Sequence, residues 1–273
     1  MDLRTLENIP SWEWPEEADQ TIAAVLRNRS AAPEDRLLAA ELAGDYNVMN
    51  PMIAETLLAI VCSSLEPVGL RGEAALSIGT ALEHADTMGF EEPEEIIISE
   101  ALFERAKESL RRLFEDPQLP VELRRQLLEA SVHAPEDWHQ QVVRDAYVSD
   151  DYAWRLTAVF CMQFISGFED QILESLQNPD LEIHYQAVCA AGNWGLKDAW
   201  PHITQLLDSA QTEKALLLAA IAAVPAIRPE AAEDILEEFA GHEDDEISET
   251  AMEALAMVEM IEEYEEDDEE DED

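Results

Sequence analysis

PDLEIHYQAVCAAGNWG, residues 179 to 195, carries the pattern that decides the fold. Asn178 and Pro179 read as a helix start, because Asn accepts hydrogen bonds from free first-turn amides and Pro at the first helical position gives up no needed donor. Asp180 and Glu182 suit the positive end of the helix dipole. Ile183, Ala187, Ala190, Ala191 and Trp194 recur at spacings of three and four, which places them along one stripe. Leu181, Tyr185 and Val188 widen it, so the helix is built to be packed on more than one side. The alanines let a neighbour approach closely, and Gly192 and Gly195 loosen and end the helix.

The same kind of unit recurs along the chain. A short helix at 17–29 precedes six predicted helix pairs: 33–43 with 51–64, 70–84 with 100–115, 120–133 with 136–148, 151–166 with 168–177, 179–195 with 199–209, and 212–226 with 229–241. A last helix at 247–261 carries Ile247, Ala251, Leu255, Val258 and Ile261 on one face, as a terminal cap requires. A polar residue early in each first helix sets the register: Arg36, Arg71, Arg124, Arg155, His184 and Lys214, with gaps of 35, 53, 31, 29 and 30. The one long gap holds an insertion at 86–98, DTMGFEEPEEIII, whose isoleucines are expected to pack back on the core. A fixed period near 30 with helix-turn-helix content predicts an all-α solenoid of stacked antiparallel helix pairs, HEAT-like or armadillo-like. The expected organisation is an N-terminal segment and capping helix at 1–32, the solenoid at 33–261, and a disordered acidic tail at 262–273, where eleven of twelve residues are acids. Trp12 and Trp14, among acids near the start, are expected to cover the open end of the first helix layer.

Within these helices the chain resembles the HEAT-repeat family, specifically the short bacterial repeats related to phycobilisome-lyase HEAT repeats. The residues that carry the resemblance are Leu70, Arg71 and Ala74 with Ile78 and Gly79; Trp154, Arg155 and Ala158; and Asp180, Ile183, His184 and Ala187 with Gly192. It covers about residues 33 to 261 and implies a fold more than an activity. By analogy with the family, second helices line a concave groove, which would expose Arg105, Arg112, Trp138, Gln141, Arg144, Trp200 and Gln205.

Composition narrows the function classes. The formal net charge of -46, from 62 acidic against 16 basic residues, opposes nucleic-acid phosphates and anionic membrane surfaces, and with them a HEAT-like DNA glycosylase. Three lysines among sixteen basic residues fit a salt-rich cytoplasm, and equally a merely acidic surface. Cys62, Cys161 and Cys189 are expected to be buried free thiols. No leader-like pattern and no apolar run near ~20 residues is present, so a soluble cytoplasmic protein is expected.

Signals for catalysis are missing from the spacing. The six histidines form no i, i+4 pair, and no phosphate loop or nucleophile elbow is visible. No cofactor or metal is expected. Arg105, Lys107, Arg111, Arg112, Arg124 and Arg125 concentrate six of sixteen basic residues in 21 positions, either as ion pairs with neighbouring helices or as a receptor for an acidic ligand. With Trp138, Arg144 and Trp200, the arginines of this cluster form the expected partner-binding set. The expectation is a noncatalytic scaffold or adaptor, monomeric or weakly oligomeric, that binds a protein through its concave surface. The alternative is a phycobilin-lyase-like or other cofactor-handling protein.

Overall fold

A computed structural model describes residues 2–92 and 96–271, the side chains of 259 and 261–271 excepted. It divides into two compact units, Met1–His139 and Gln140–Asp273. Among the described residues every regular element is helical. The first unit contains α1 (Leu3–Glu7), α2 (Ala18–Arg27), α3 (Pro33–Leu42), α4 (Pro51–Cys62), α5 (Val68–Met88), α6 (Glu100–Phe114), α7 (Val121–Ser131) and the first residues of α8 (Asp137–Tyr147). The second unit holds the rest of α8 with α9 (Tyr152–Cys161), α10 (Glu169–Ser175), α11 (Leu181–Asn193), α12 (Trp200–Asp208), α13 (Lys214–Ile227), α14 (Pro229–Ala240) and α15 (Asp245–Asp271). Helices form in all six predicted pairs, but the close packing is shifted by one element: α2 lies on α3, α4 on α5, α6 on α7, α10 on α11, α12 on α13 and α14 on α15. Of the predicted partners only α5 with α6 and α13 with α14 pack appreciably, and each unit stacks its helices in the manner of a HEAT/armadillo-like α-solenoid. The helix α1 was not expected; Asp2 caps it by accepting from the Thr5 amide.

The stacking runs mainly through the first helices. In the first unit α3 packs on α5 and α5 on α7; in the second α9, α11, α13 and α15 pack successively on one another. In the second unit α10, α12 and α14 pack chiefly on this layer. Small residues permit it: a Cβ built on Gly192 would lie 2.9 Å from the Ala223 Cβ, so α11 and α13 meet at a point where only glycine fits. Gly192 therefore serves close approach. The expected helix stop is Gly195 alone, whose φ of +54° is the left-handed angle a C-terminal glycine supplies.

The helix start at 178–179 is corrected. Asp180 is the cap, accepting from the Glu182 and Ile183 amides at 3.1 Å each, and Asn178 makes the turn before it by accepting from the Asp180 amide. An aspartate two residues further on outcompetes the Asn-Pro start because its carboxylate reaches two orphan amides at once.

The arginines that set the register have a shared task. Nε of Arg36, Arg71 and Arg124 donates to a carbonyl ten residues upstream, on Leu26, Val61 and Phe114, at 3.1, 2.9 and 2.8 Å. Those carbonyls end α2, α4 and α6, where the helix dipole is negative and carbonyls lack partners. Arg36 also pairs with Glu66, both side chains being over nine-tenths buried. The repeat signature in this unit thus ties each first helix to the end of the helix before it.

In the insertion, α5 runs on to Met88, Ile98 is buried and Ile96 and Ile97 are half-buried; Pro93, Glu94 and Glu95 lie outside the described residues. Ile247, Ala251, Ala254 and Val258 form the buried face of α15, and the Ile261 side chain lies outside the described residues. The helix also covers much of the acidic stretch for which disorder was expected, and the side chains there are likewise outside the described residues.

Candidate functional site

The expected cation cluster lies in the first unit, and most of its members already have partners. Arg105 of α6 pairs with Glu55 of α4, Lys107 lies near Glu104 and Glu136, Arg111 pairs with Glu115 one turn on, and Arg125 with Glu129. Arg112 is exposed on α6. The Arg124 guanidinium lies 5.2 Å from the Phe114 ring, which sits 5.4 Å from Trp138, over which Arg111 lies at 5.7 Å. Structure therefore joins Arg111, Arg124 and Trp138 into a cation-aromatic layer, with the Trp138 indole half-buried and donating to Glu136. Arg144 and Trp200 belong to the second unit. Arg144 lies 5.4 Å from the buried Phe168 ring and bonds Gln140, while half-buried Trp200 faces the Arg228 guanidinium at 6.0 Å.

Two histidine arrangements bear on chemistry. His139 is fully buried; its Nδ1 accepts from the Glu136 amide, so Nε2 carries the proton and donates to Ser131 Oγ at 2.9 Å. Ser131 in turn donates to the Leu128 carbonyl, which leaves the hydroxyl occupied. Burial pulls the imidazole down to about 4. This is a packed, neutral structural pair that fixes the start of α8. His184 of α11 and His202 of α12 do converge from separate helices, Nε2 to Nε2 at 2.6 Å. Gln177 donates to His202 Nδ1, so His202 donates through Nε2 to His184. Burial lowers both pKa values, for His184 with His202 adding to the effect. Among the described residues no group of three or more His, Cys, Asp or Glu is placed to hold a metal.

Cysteines and tryptophans depart in part from expectation. All three thiols are free and Cys161 is buried, but Cys62 is exposed at the last position of α4 and Cys189 is half-buried. Trp14 is held by donating to the Leu6 and Ile9 carbonyls, closing the end of α1, whereas Trp12 is 79% exposed and covers little.

The feature the sequence reading only half saw is on α11. Its stripe of Ile183, Ala187, Ala190 and Ala191 is buried, as predicted. Leu181 and Tyr185 lie about 200° round the helix from Ile183, and they remain 57% and 37% exposed. The second apolar side has no covering helix among the described residues. It continues along the row Tyr185, Cys189 and Asn193, faces Leu218, Ala222 and Ala226 on α13, and ends against Met257 of α15, itself 50% exposed. Two adjoining hollows share Tyr185: one of about 570 Å³ across α11, α13 and α15, and one of about 470 Å³ at the N-terminal ends of α11 and α13, bordered by Leu156 of α9. The sequence signal was present in the two-sided pattern of 181–194; what it lacked was which side a neighbour would cover.

A pocket of about 450 Å³ in the first unit, between α3 and the start of α5, has the Arg36–Glu66 pair among its walls. Arg29 and Arg36 both pair with Glu66 there.

No protein-family model and no curated protein matches the chain. Among solved structures it is similar to human deoxyhypusine hydroxylase, at 17% identity over 94% of this chain and 88% of that one, with a TM-score of 0.42. It is also similar to the complex of CpcE and CpcF of phycocyanin lyase from Nostoc sp. PCC7120, at 17% identity over 93% and 98%, with a TM-score of 0.47. Both likenesses are of fold alone, and the fold assignment rests on the helix pairing described above. Among the described residues no helix is long and apolar enough to cross a membrane.

Proposed function

We propose that the chain is a noncatalytic helical-repeat scaffold that binds a protein partner. One observation carries the reading: the second unit presents a mainly apolar face, from Leu181 and Tyr185 to Met257 with Gln163, Gln186, Asn193 and Thr250 among it, on helices whose opposite sides are tightly packed. Exposed apolar and aromatic side chains grouped on rigid elements are what a protein interface is made from, and scattered surface apolar residues are not grouped in this way. Closely packed first helices hold the side chains in place, which keeps the ordering cost of binding low.

The test is a comparison of captures from native lysate by the wild-type chain and by the double variant Leu181→Ser, Met257→Ser, each first shown to melt normally. A specific protein retained by the wild type and lost by the variant supports the reading. Equal capture by both contradicts it. The cofactor-handling alternative has its own test: incubation with a free bilin followed by gel filtration, in which co-eluting visible absorbance would favour it over the scaffold.

A further inference from the structure

We propose that the occupant of this face is an amphipathic helical segment of a partner protein, about three turns long, apolar along one stripe and carrying lysine or arginine at one end. The proposal rests on the scaffold reading above and adds the chemistry of the ligand.

Length comes from the groove. From Leu181 to Asn193 the two hollows follow α11 for thirteen residues, twelve steps or about 18 Å at 1.5 Å per residue, which matches about three turns of a docked helix. Width comes from residue size. Ala222 and Ala226 on α13 are exposed and small, between the taller Tyr185 row and Met257, which leaves a trough for a row of aliphatic side chains.

Charge comes from the edge. The N-terminal ends of α11 and α13 border the smaller hollow with Glu182 and Glu213. Glu182 and Asp180 both accept from the Tyr152 hydroxyl, at 2.7 and 3.0 Å, and a neutral phenol cancels no charge. The Glu182 hydrogen bond first, then burial and the Asp180 hydrogen bond, push the Tyr152 phenol far above its usual range. Lys214 lies further along the same edge, but its ammonium is engaged by Asp244 and Glu246. Among the described residues no ion pair neutralises Asp180, Glu182 or Glu213. A cationic end of the ligand satisfies this edge while its apolar stripe fills the trough. A second copy of the chain is the poorer occupant, because two molecules of charge -46 repel.

The experiment uses the full chain and a fluorescent leucine-lysine amphipathic peptide of about fourteen residues, with a leucine-glutamate peptide as counterpart. Anisotropy is read in about 0.1 M salt, where distant surface charge is screened within ~10 Å. Binding of the lysine peptide should weaken about tenfold or more in Leu181→Ser, Met257→Ser, which leaves net charge unchanged. It should weaken several-fold in Glu182→Lys and stay at wild-type strength in Glu233→Lys, an equal charge change on exposed α14. Equal weakening by the two lysine substitutions, or wild-type affinity in the serine variant, would show binding to bulk negative charge and overturn the proposal. So would comparable binding of the glutamate peptide, or a wild-type dimer in light scattering that the serine variant abolishes. If the lysine peptide fails while the lysate partner is still lost from the serine variant, the ligand chemistry is wrong and the docking face stands. If neither responds to that variant, both readings fall.

Discussion

At the residue scale, Glu66 shows how a very acidic chain uses its few cations. Arg36 lies buried against it and Arg29 adds a bond from the surface at 3.1 Å. The Arg36 hydrogen bond, opposed by burial and aided by both guanidinium charges, holds the carboxyl below its ordinary range. The group is ionised in both folded and unfolded chains above the ordinary value of 4.5, where its contribution is fully present. As pH falls through the lowered folded value that contribution is lost. Glu66→Ala leaves a buried guanidinium without its counter-charge, and chemical denaturation should show a loss of about 3–5 kcal/mol. His139 acts in the same direction by the opposite route. Its folded value near 4 lies below the ordinary 6.5, so between these limits the unfolded chain takes up a proton that the folded one refuses. In His139→Asn the carboxamide oxygen stands in for Nδ1. Relative to that variant the wild type should lose stability as pH falls from 6.5 to 4, by at most about 3 kcal/mol; a flat difference would show that the imidazole is not held neutral.

At the element scale, α11 sets propensity against packing. Gly192→Ala gains about 1 kcal/mol of helix propensity but brings a methyl group to 2.9 Å from Ala223 Cβ, and overpacking of this kind costs about 1–3 kcal/mol. The expected net result is a lower melting temperature, with the α11–α13 spacing increased. Gly195→Ala is expected to be worse, since it combines a left-handed φ with a Cβ 2.8 Å from the Ala226 carbonyl oxygen. A melt unchanged by both would refute the close-approach account of this helix. The helices themselves were legible because spacing of three and four, capping residues and a period near 30 are local or periodic signals. Much of the site was not. The arginines at 105–125 stood out by charge, yet their partners, such as Glu55 for Arg105, come from other helices that sequence spacing does not reveal. Leu181 and Tyr185 read as core because an apolar residue on a helix looks the same whether or not a neighbour arrives to cover it. The N-terminal start of α11 was missed by two residues because three capping-type residues, Asn178, Pro179 and Asp180, stand in a row.

For the whole molecule, net charge is the dominant long-range term. With -46 charges on 273 residues, self-repulsion favours expansion, and salt screens it. The melting temperature should therefore rise as sodium chloride is raised from about 0.05 to about 1 M, where the Debye length shrinks to ~3 Å. A fall would mean that the exposed ion pairs outweigh the repulsion. The same field makes cationic surfaces the natural company of this chain and acidic ones poor partners. Its second unit then supplies what a bare charge does not, an apolar trough with fixed walls. The most direct measurement is hydroxyl-radical footprinting of the chain with and without the partner captured from native lysate. The account predicts that oxidation of Leu181, Tyr185 and Met257 falls on binding while that of exposed Trp12 and Met88 does not change. Protection confined to the α6 to α8 residues Arg112 and Trp138, with Tyr185 and Met257 still reacting at the free rate, would contradict it.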